Sequence, residues 1–218
     1  HAPVFDQLLA YPRFAVQDQV LKLVDALEES GITVYAVEPN TVDEIVETSR
    51  TLDPGLGYDY IIVTTNAWDD YLDDFIAYQT MRGFTVGMFT KEWIILNYSG
   101  IDVQEQIRNF IIDAYDTWTP DYLLLVGDGE PTDSNGITAR GFYNVAYGTT
   151  DSNIASDLYY SCLDGNWNND GDSYYGEGGE EDFYPELAVG RVACSASSDI
   201  VNFTTKTMRY TESPIVSE

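Results

Sequence analysis

The sequence has 218 residues, 44% of them hydrophobic and 14% aromatic, and a formal net charge of −27. That composition supports a packed core and excludes a disordered chain. With Lys22, Lys91 and Lys206 as the only lysines, the charge argues against nucleic acid and anionic membrane as partners and for attraction of cations, Ca²⁺ among them.

No apolar run approaches the ~20 residues of a membrane-spanning helix. Ile61-Ile62-Val63 and Leu123-Leu124-Leu125-Val126 have strand length instead. The opening His-Ala-Pro reads as a processed mature chain or a segment cut from a longer one. Acidity, abundant tyrosine and scarce lysine point to an extracellular, secreted protein. Asn97-Tyr98-Ser99 and Asn202-Phe203-Thr204 have the pattern of glycosylation acceptors.

Residues 1–13 carry no period and read as an arm. Val16, Val20, Leu23, Val24 and Leu27 recur at helical steps, and Gly31 closes that helix. Ile32–Val37 reads as a strand, and Thr41-Val42-Asp43-Glu44 is a capping box. The turn-rich Asp53-Pro54-Gly55-Leu56-Gly57 divides an N-terminal extension, or the end of a preceding module (1–57), from a main domain (58–218). The main domain opens with a buried strand ending near Thr65. A helix follows over about Asp69–Arg82, with Leu72, Phe75, Ile76 and Met81 inward, then a strand over Phe84–Thr90. Asp102 caps the next helix, with Glu105 as its partner. Its apolar stripe is Val103, Ile107, Phe110, Ile111, Ala114, Tyr115 and Trp118. Asp121–Asp128 is a third apolar strand. This alternation predicts an α/β fold, a parallel sheet with helices on both faces. Residues 129–186 read as a long irregular region rich in Gly, Asp and Asn. Leu187–Ala193 is a further strand, and Ser198 caps a last helix through about Tyr210.

Asp164 to Glu177 holds the sharpest motif. With Asn166 as position 1, Asn168, Asp170, Gly171, Asp172 and Glu177 fall at positions 3, 5, 6, 7 and 12 of a calcium loop. Ca²⁺ takes six to eight hard oxygens, and alternating side chains around a glycine turn supply them. Asn at position 1 removes a charge that Asp164 can replace. A solvated acidic turn is the plainer reading. The candidate ligands are Asp164, Asn166, Asn168, Asp170, Asp172 and Glu177, and a structural Ca²⁺ clip ordering the long region is the expected use.

Asp128, at the end of a buried strand, and Asp157, opening the Ser156-Asp157-Leu158 stretch, are candidate cleft-lining carboxylates. Each could serve as acid, base, ligand or turn cap. Cys162 and Cys194 are compatible with buried free thiols, a disulfide or a reactive thiol. The only histidine is His1, so Ser-His-Asp and Cys-His chemistry lack an imidazole base. There is no His/Cys cluster for zinc and no glycine-rich phosphate loop. Carboxylate hydrolysis through Asp128, Glu130 or Asp157 stays open.

Several stretches then resemble one family in order and spacing. They are YDYIIVTTNAW, RGFTV, IRNFIIDAY, DYLLLVGD, SDLYYSCLDGNWNNDGDSYYGE and FYPELAVGRV. Over about residues 58–212 the chain is similar to the first part of the catalytic domain of gingipain-like cysteine proteases, peptidase family C25. The resemblance implies a caspase-like α/β fold, calcium binding and endopeptidase cleavage of protein or peptide substrates by a Cys–His pair. It also implies that this pair lies beyond the Gly190-Arg191 strand and helix, in a C-terminal catalytic subdomain. Neither Cys162 nor Cys194 holds the nucleophile's place, so no catalytic residue is carried over. The expected role is a bracing subdomain, inactive alone. A non-catalytic, calcium-stabilised binding or adhesion module and a carboxylate-based hydrolase are the alternatives.

Overall fold

Short runs of branched apolar residues bounded by Gly, Asp and Thr favour strands over helices. The computed structural model describes residues 52–146 and 148–214. It contains β1 (Tyr60–Thr64), β2 (Val86–Thr90), β3 (Tyr122–Val126), β4 (Arg140–Ala146), β5 (Thr149–Ser156) and β6 (Ala188–Val192). The helices are α1 (Asp73–Met81), α2 (Lys91–Asn97), α3 (Val103–Trp118) and α4 (Ser197–Glu212). The helix from Val16, the strand Ile32–Val37 and the capping box at Thr41 lie outside the described residues.

Four strands form a parallel sheet in the order β2-β1-β3-β6. Ile61 pairs with Leu123, and Leu124 with Gly190. Because side chains alternate along a strand, the sheet has two apolar faces. Ile61, Val63, Leu123 and Leu125 face a core shared with Ile94 of α2 and with Ile107, Phe110, Ile111 and Ala114 of α3. Ile62, Leu124, Val126 and Val192 face a second core with Leu72, Phe75 of α1 and Ile200 of α4. The expected α/β architecture is therefore present.

The α3 stripe forms as its spacing requires. Asp102 Oδ1 accepts from the Glu105 amide at 2.8 Å, and Glu105 reaches back to the Ile101 amide. Thr119, at φ 52°, ends the helix before Pro120.

Four local expectations need correcting. Asp69–Tyr71 is a separate 3₁₀ turn ahead of α1. Met81 is 75% exposed, while Tyr78 and Gln79 are buried with Phe75. Met81 sits six residues from Phe75, about 240° around the helix, so it points outward. Helix α4 has Ala196 at its N-cap rather than Ser198, and Asp199 accepts from the Ser195 and Ala196 amides at 3.1 and 3.0 Å. The region 129–186 is not wholly irregular, since β4 and β5 form an antiparallel hairpin with a register shift between Phe142 and Asn144. Helix α2 carried no sequence expectation. It follows β2 directly, and its first turn is capped by the Thr90 hydroxyl.

Candidate functional site

A parallel sheet brings all its strand ends to one edge, where ligands of open α/β folds bind. Asp157 lies there in a two-point ion pair. Arg191 of β6 donates from Nε to Oδ2 at 2.8 Å and from Nη2 to Oδ1 at 2.7 Å. Its Nη1 donates to the carbonyls of Gly127 and Ile137 at 3.0 and 2.6 Å. The guanidinium thus joins the ends of β3 and β6 to the Asp157 turn, and it occupies both Asp157 oxygens. Asp128 is half-buried, and its Oδ1 accepts from the Glu130 amide at 3.2 Å, as a turn cap does.

The acidic loop lies elsewhere in the long region. Carboxylate oxygens of Asp170, Asp172 and Glu177 lie within 4.8 Å of one another. Of the six predicted ligands, these three come together. The Asn166 side-chain oxygen accepts from the Asn168 amide at 2.9 Å, and that of Asn168 from the Gly171 amide at 2.9 Å, so both shape the turn. Asp164 is outside the cluster, and its carbonyl accepts from Arg108 at 3.3 Å. Loss of hydration, with the charges of Asp172, Asp170 and Glu180, raises the Glu177 pKa. Three converging carboxylates, with no cationic side chain beside them among the described residues, are a donor set that suits a hard divalent cation.

The loop is anchored in the core. Trp167 is 1% exposed, stacks on Phe142 with centroids 4.4 Å apart, and accepts at its carbonyl from the Gly176 amide at 2.8 Å. Glu180, unmarked by the motif, accepts from the Asn169 amide at 2.7 Å.

Sequence reasoning also passes over Arg108, which flanks the α3 stripe. It is buried, and it donates to the carbonyls of Tyr159, Cys162, Leu163, Asp164 and Gly165 at 3.0–3.3 Å. Its signal was a lone arginine beside an apolar stripe. Arg140 is the second such anchor. It pairs with Asp102 through two 2.8 Å bonds and lies over the rings of Tyr159 and Tyr175.

The cysteines are free and buried, 0% exposed at Cys162 and 1% at Cys194. Burial raises the Cys162 thiol, and burial with Asp199, Asp133 and Asp128 pushes Cys194 up to about 11. Both are therefore protonated at neutral pH, the opposite of an activated nucleophile.

The sequence model of peptidase family C25 matches residues 53–217. The chain belongs to peptidase family C25.

Among solved structures, the dimeric latent PorU from Porphyromonas gingivalis shares 21% identity at a TM-score of 0.55. That match covers 71% of this chain and 16% of that one. The complex of the pro- and mature domains of RgpB from the same organism shares 23% identity at a TM-score of 0.48, covering 69% and 28%. The C25 chain thus spans well under a third of either structure, and the likeness to PorU establishes a shared fold. No curated protein matches. Among the described residues, no helix of this C25 chain is long and apolar enough to cross a membrane.

Proposed function

We propose that this chain is the bracing subdomain of a secreted C25 cysteine endopeptidase, and that it does not cleave protein or peptide substrates by itself. The observation that carries this reading is the state of its own thiols. Cys162 and Cys194 are buried, which favours the neutral thiol, and the described residues contain no imidazole to activate them. The Cys–His pair of such a peptidase would come from a C-terminal catalytic subdomain. The open edge of β6 supports a docking place for it. Among the described residues β6 pairs only with β3, Ala188 and Gly190 are exposed, and Phe183 and Tyr184 just before them are 62% and 84% exposed. A further parallel strand would bury that edge, as uncovered edges favour. Secretion rests on the charge of −27 and the paucity of lysine.

The test is peptidase activity on casein and fluorogenic peptides. The chain alone should be inactive, and co-expression with the polypeptide encoded directly downstream should yield thiol-dependent cleavage. Cleavage by this chain alone that Cys162→Ser or Cys194→Ser abolishes would overturn the reading. The carboxylate hydrolase alternative is weakened because both Asp157 oxygens bind Arg191.

The acidic loop completes the proposal as a structural Ca²⁺ clip held by Asp170, Asp172 and Glu177, with Asp164, Asn166 and Asn168 as outlying candidates. Motif spacing and the convergence of the three carboxylates support it. Ca²⁺ at ten times its Kd should raise the Tm by about 3–5 °C, and Glu177→Ala should remove most of the rise. An unchanged melt in millimolar Ca²⁺ counts against the clip.

A further inference from the structure

The strand order reverses between β1 and β3, so their carboxyl ends flank the crevice where an open parallel sheet takes ligands. Here chain covers that crevice. Residues 128–137 leave β3, turn back and lie over the strand ends. The carbonyls of residues 134–137 each accept a bond from a side chain at a strand end. Lys91, just after β2, donates from Nζ to Ser134 and Gly136 at 2.7 Å each. Trp68 Nε1 and Thr65 Oγ1, both after β1, donate to Asn135 at 2.9 and 3.4 Å. Arg191 of β6 donates to Ile137.

The segment has two kinds of fastening. Its neck is apolar and backbone-bonded. Ile137 is 0% exposed, and the Ala139 amide donates to the Gly129 carbonyl at 3.0 Å. Close backbone approach needs glycine there. Gly127 has φ 143°, and a Cβ on Gly136 would lie 2.5 Å from the Asp128 carbonyl. Its tip is polar, with Ser134 and Asn135 exposed, and it is held by donated side-chain bonds.

We propose that residues 128–137 form a hinged strap over the crevice between β1 and β3, pinned at its neck by Ile137 and latched at its tip by Lys91. The latch depends on one side chain, whereas the neck is held by a fully buried side chain and a backbone bond. Lys91 is partly exposed, and its hydrogen bonds go to two carbonyls instead of a carboxylate. Burial lowers its pKa, with Glu92 and Asp133 acting in the opposite direction. When the tip lifts, the buried Thr65 loses its cover and the crevice opens while the sheet stays intact.

Amide hydrogen exchange on the full chain tests this, with peptides covering 128–139 compared with those covering β1 and β3. Lys91→Met should speed exchange in the strap about tenfold or more and leave the strands unchanged. Lys91→Arg, which keeps the cationic donors, should restore protection. Unchanged strap exchange in Lys91→Met would overturn the proposal. So would acceleration spread evenly over strap and sheet, or failure of that variant to fold, because a latch can be lifted without losing the fold.

Discussion

The strands from Tyr60 to Val126 and the region from Thr138 to Glu186 are secured by different means. Ile62, Val63, Leu125 and Val126 are fully buried between helices, and their backbone groups are paired within the sheet. The later region buries Tyr159, Tyr160, Cys162 and Trp167 in the same core, but most of the rest is exposed and tied down by side-chain bonds. Arg108 gathers its carbonyls, Arg140 ties its hairpin to Asp102, and the Tyr160 hydroxyl reaches the Thr138 carbonyl at 2.6 Å. Apolar burial is non-directional and tolerates substitution by volume, whereas a buried cation depends on each acceptor it meets. The first region should therefore fail as a whole and the second one fastening at a time.

Arg108→Met gives the largest expected effect. It removes the donors for five carbonyls in a site where water is excluded, at a cost of about 3–5 kcal/mol. Leu125→Ala should cost about 2–5 kcal/mol by leaving a cavity. The two should differ in pattern more than in size. By hydrogen exchange, Arg108→Met should first expose residues 159–165 and leave β1 and β3 protected, while Leu125→Ala should weaken the entire sheet. If both variants lose protection uniformly, the two regions are one cooperative unit and the contrast fails.

That contrast also explains what could be read from the sequence. Ile61 to Val63 and Leu123 to Val126 announce a parallel sheet, because burial on both faces leaves an unbroken apolar run. The α3 stripe is equally plain, since its period is the signal. The β4–β5 hairpin leaves no signal in the sequence because β5, Thr149–Ser156, is exposed along nearly its whole length and has no apolar alternation. Met81 faces outward although it is apolar, because hydrophobicity alone does not fix the side of a helix a residue occupies. Among the candidate ligands, Asp170, Asp172 and Glu177 converge, although Asp170 and Asp172, like Asn166 and Asn168, also accept from amides of the turn. Side-chain bonds to the backbone leave no periodic trace, and this is also why Arg108 was overlooked.

The Asp102–Arg140 pair sharpens the comparison by pH. Burial alone would raise the Asp102 pKa, but the Arg140 hydrogen bonds, the Glu105 amide and the Arg140 charge outweigh it and hold the carboxyl below its ordinary 3.8. A carboxyl depressed in the folded state adds stability above its unfolded pKa, and that stability is lost as pH falls through the folded value. The hairpin should therefore loosen below about pH 4 before the sheet melts. Asp102→Asn should cost about 1–2 kcal/mol, discounted because Asp102 is partly exposed. It should also flatten the acid limb of the stability curve, as urea titrations at several pH values would reveal. An acid limb of unchanged slope would assign the pH sensitivity to another carboxylate.

The smallest effect should come from the acidic loop, where the sign is reversed. Glu177 is raised above its ordinary 4.5. Without a cation, its protonated form favours the folded loop, a contribution present below the unfolded pKa and lost as pH rises through the folded value. A bound cation inverts this preference, because it needs the ionised carboxylate. The Tm gain from Ca²⁺ should therefore be full at pH 7 and fade toward pH 4.5. Glu180→Gln removes one of the charges that repel Glu177, so it should move this fading to lower pH while leaving the gain at pH 7 little changed. Melting curves with and without Ca²⁺, run from pH 4 to 8 on both proteins, decide the point. If the gain does not vary with pH, the ion is binding somewhere other than Asp170, Asp172 and Glu177.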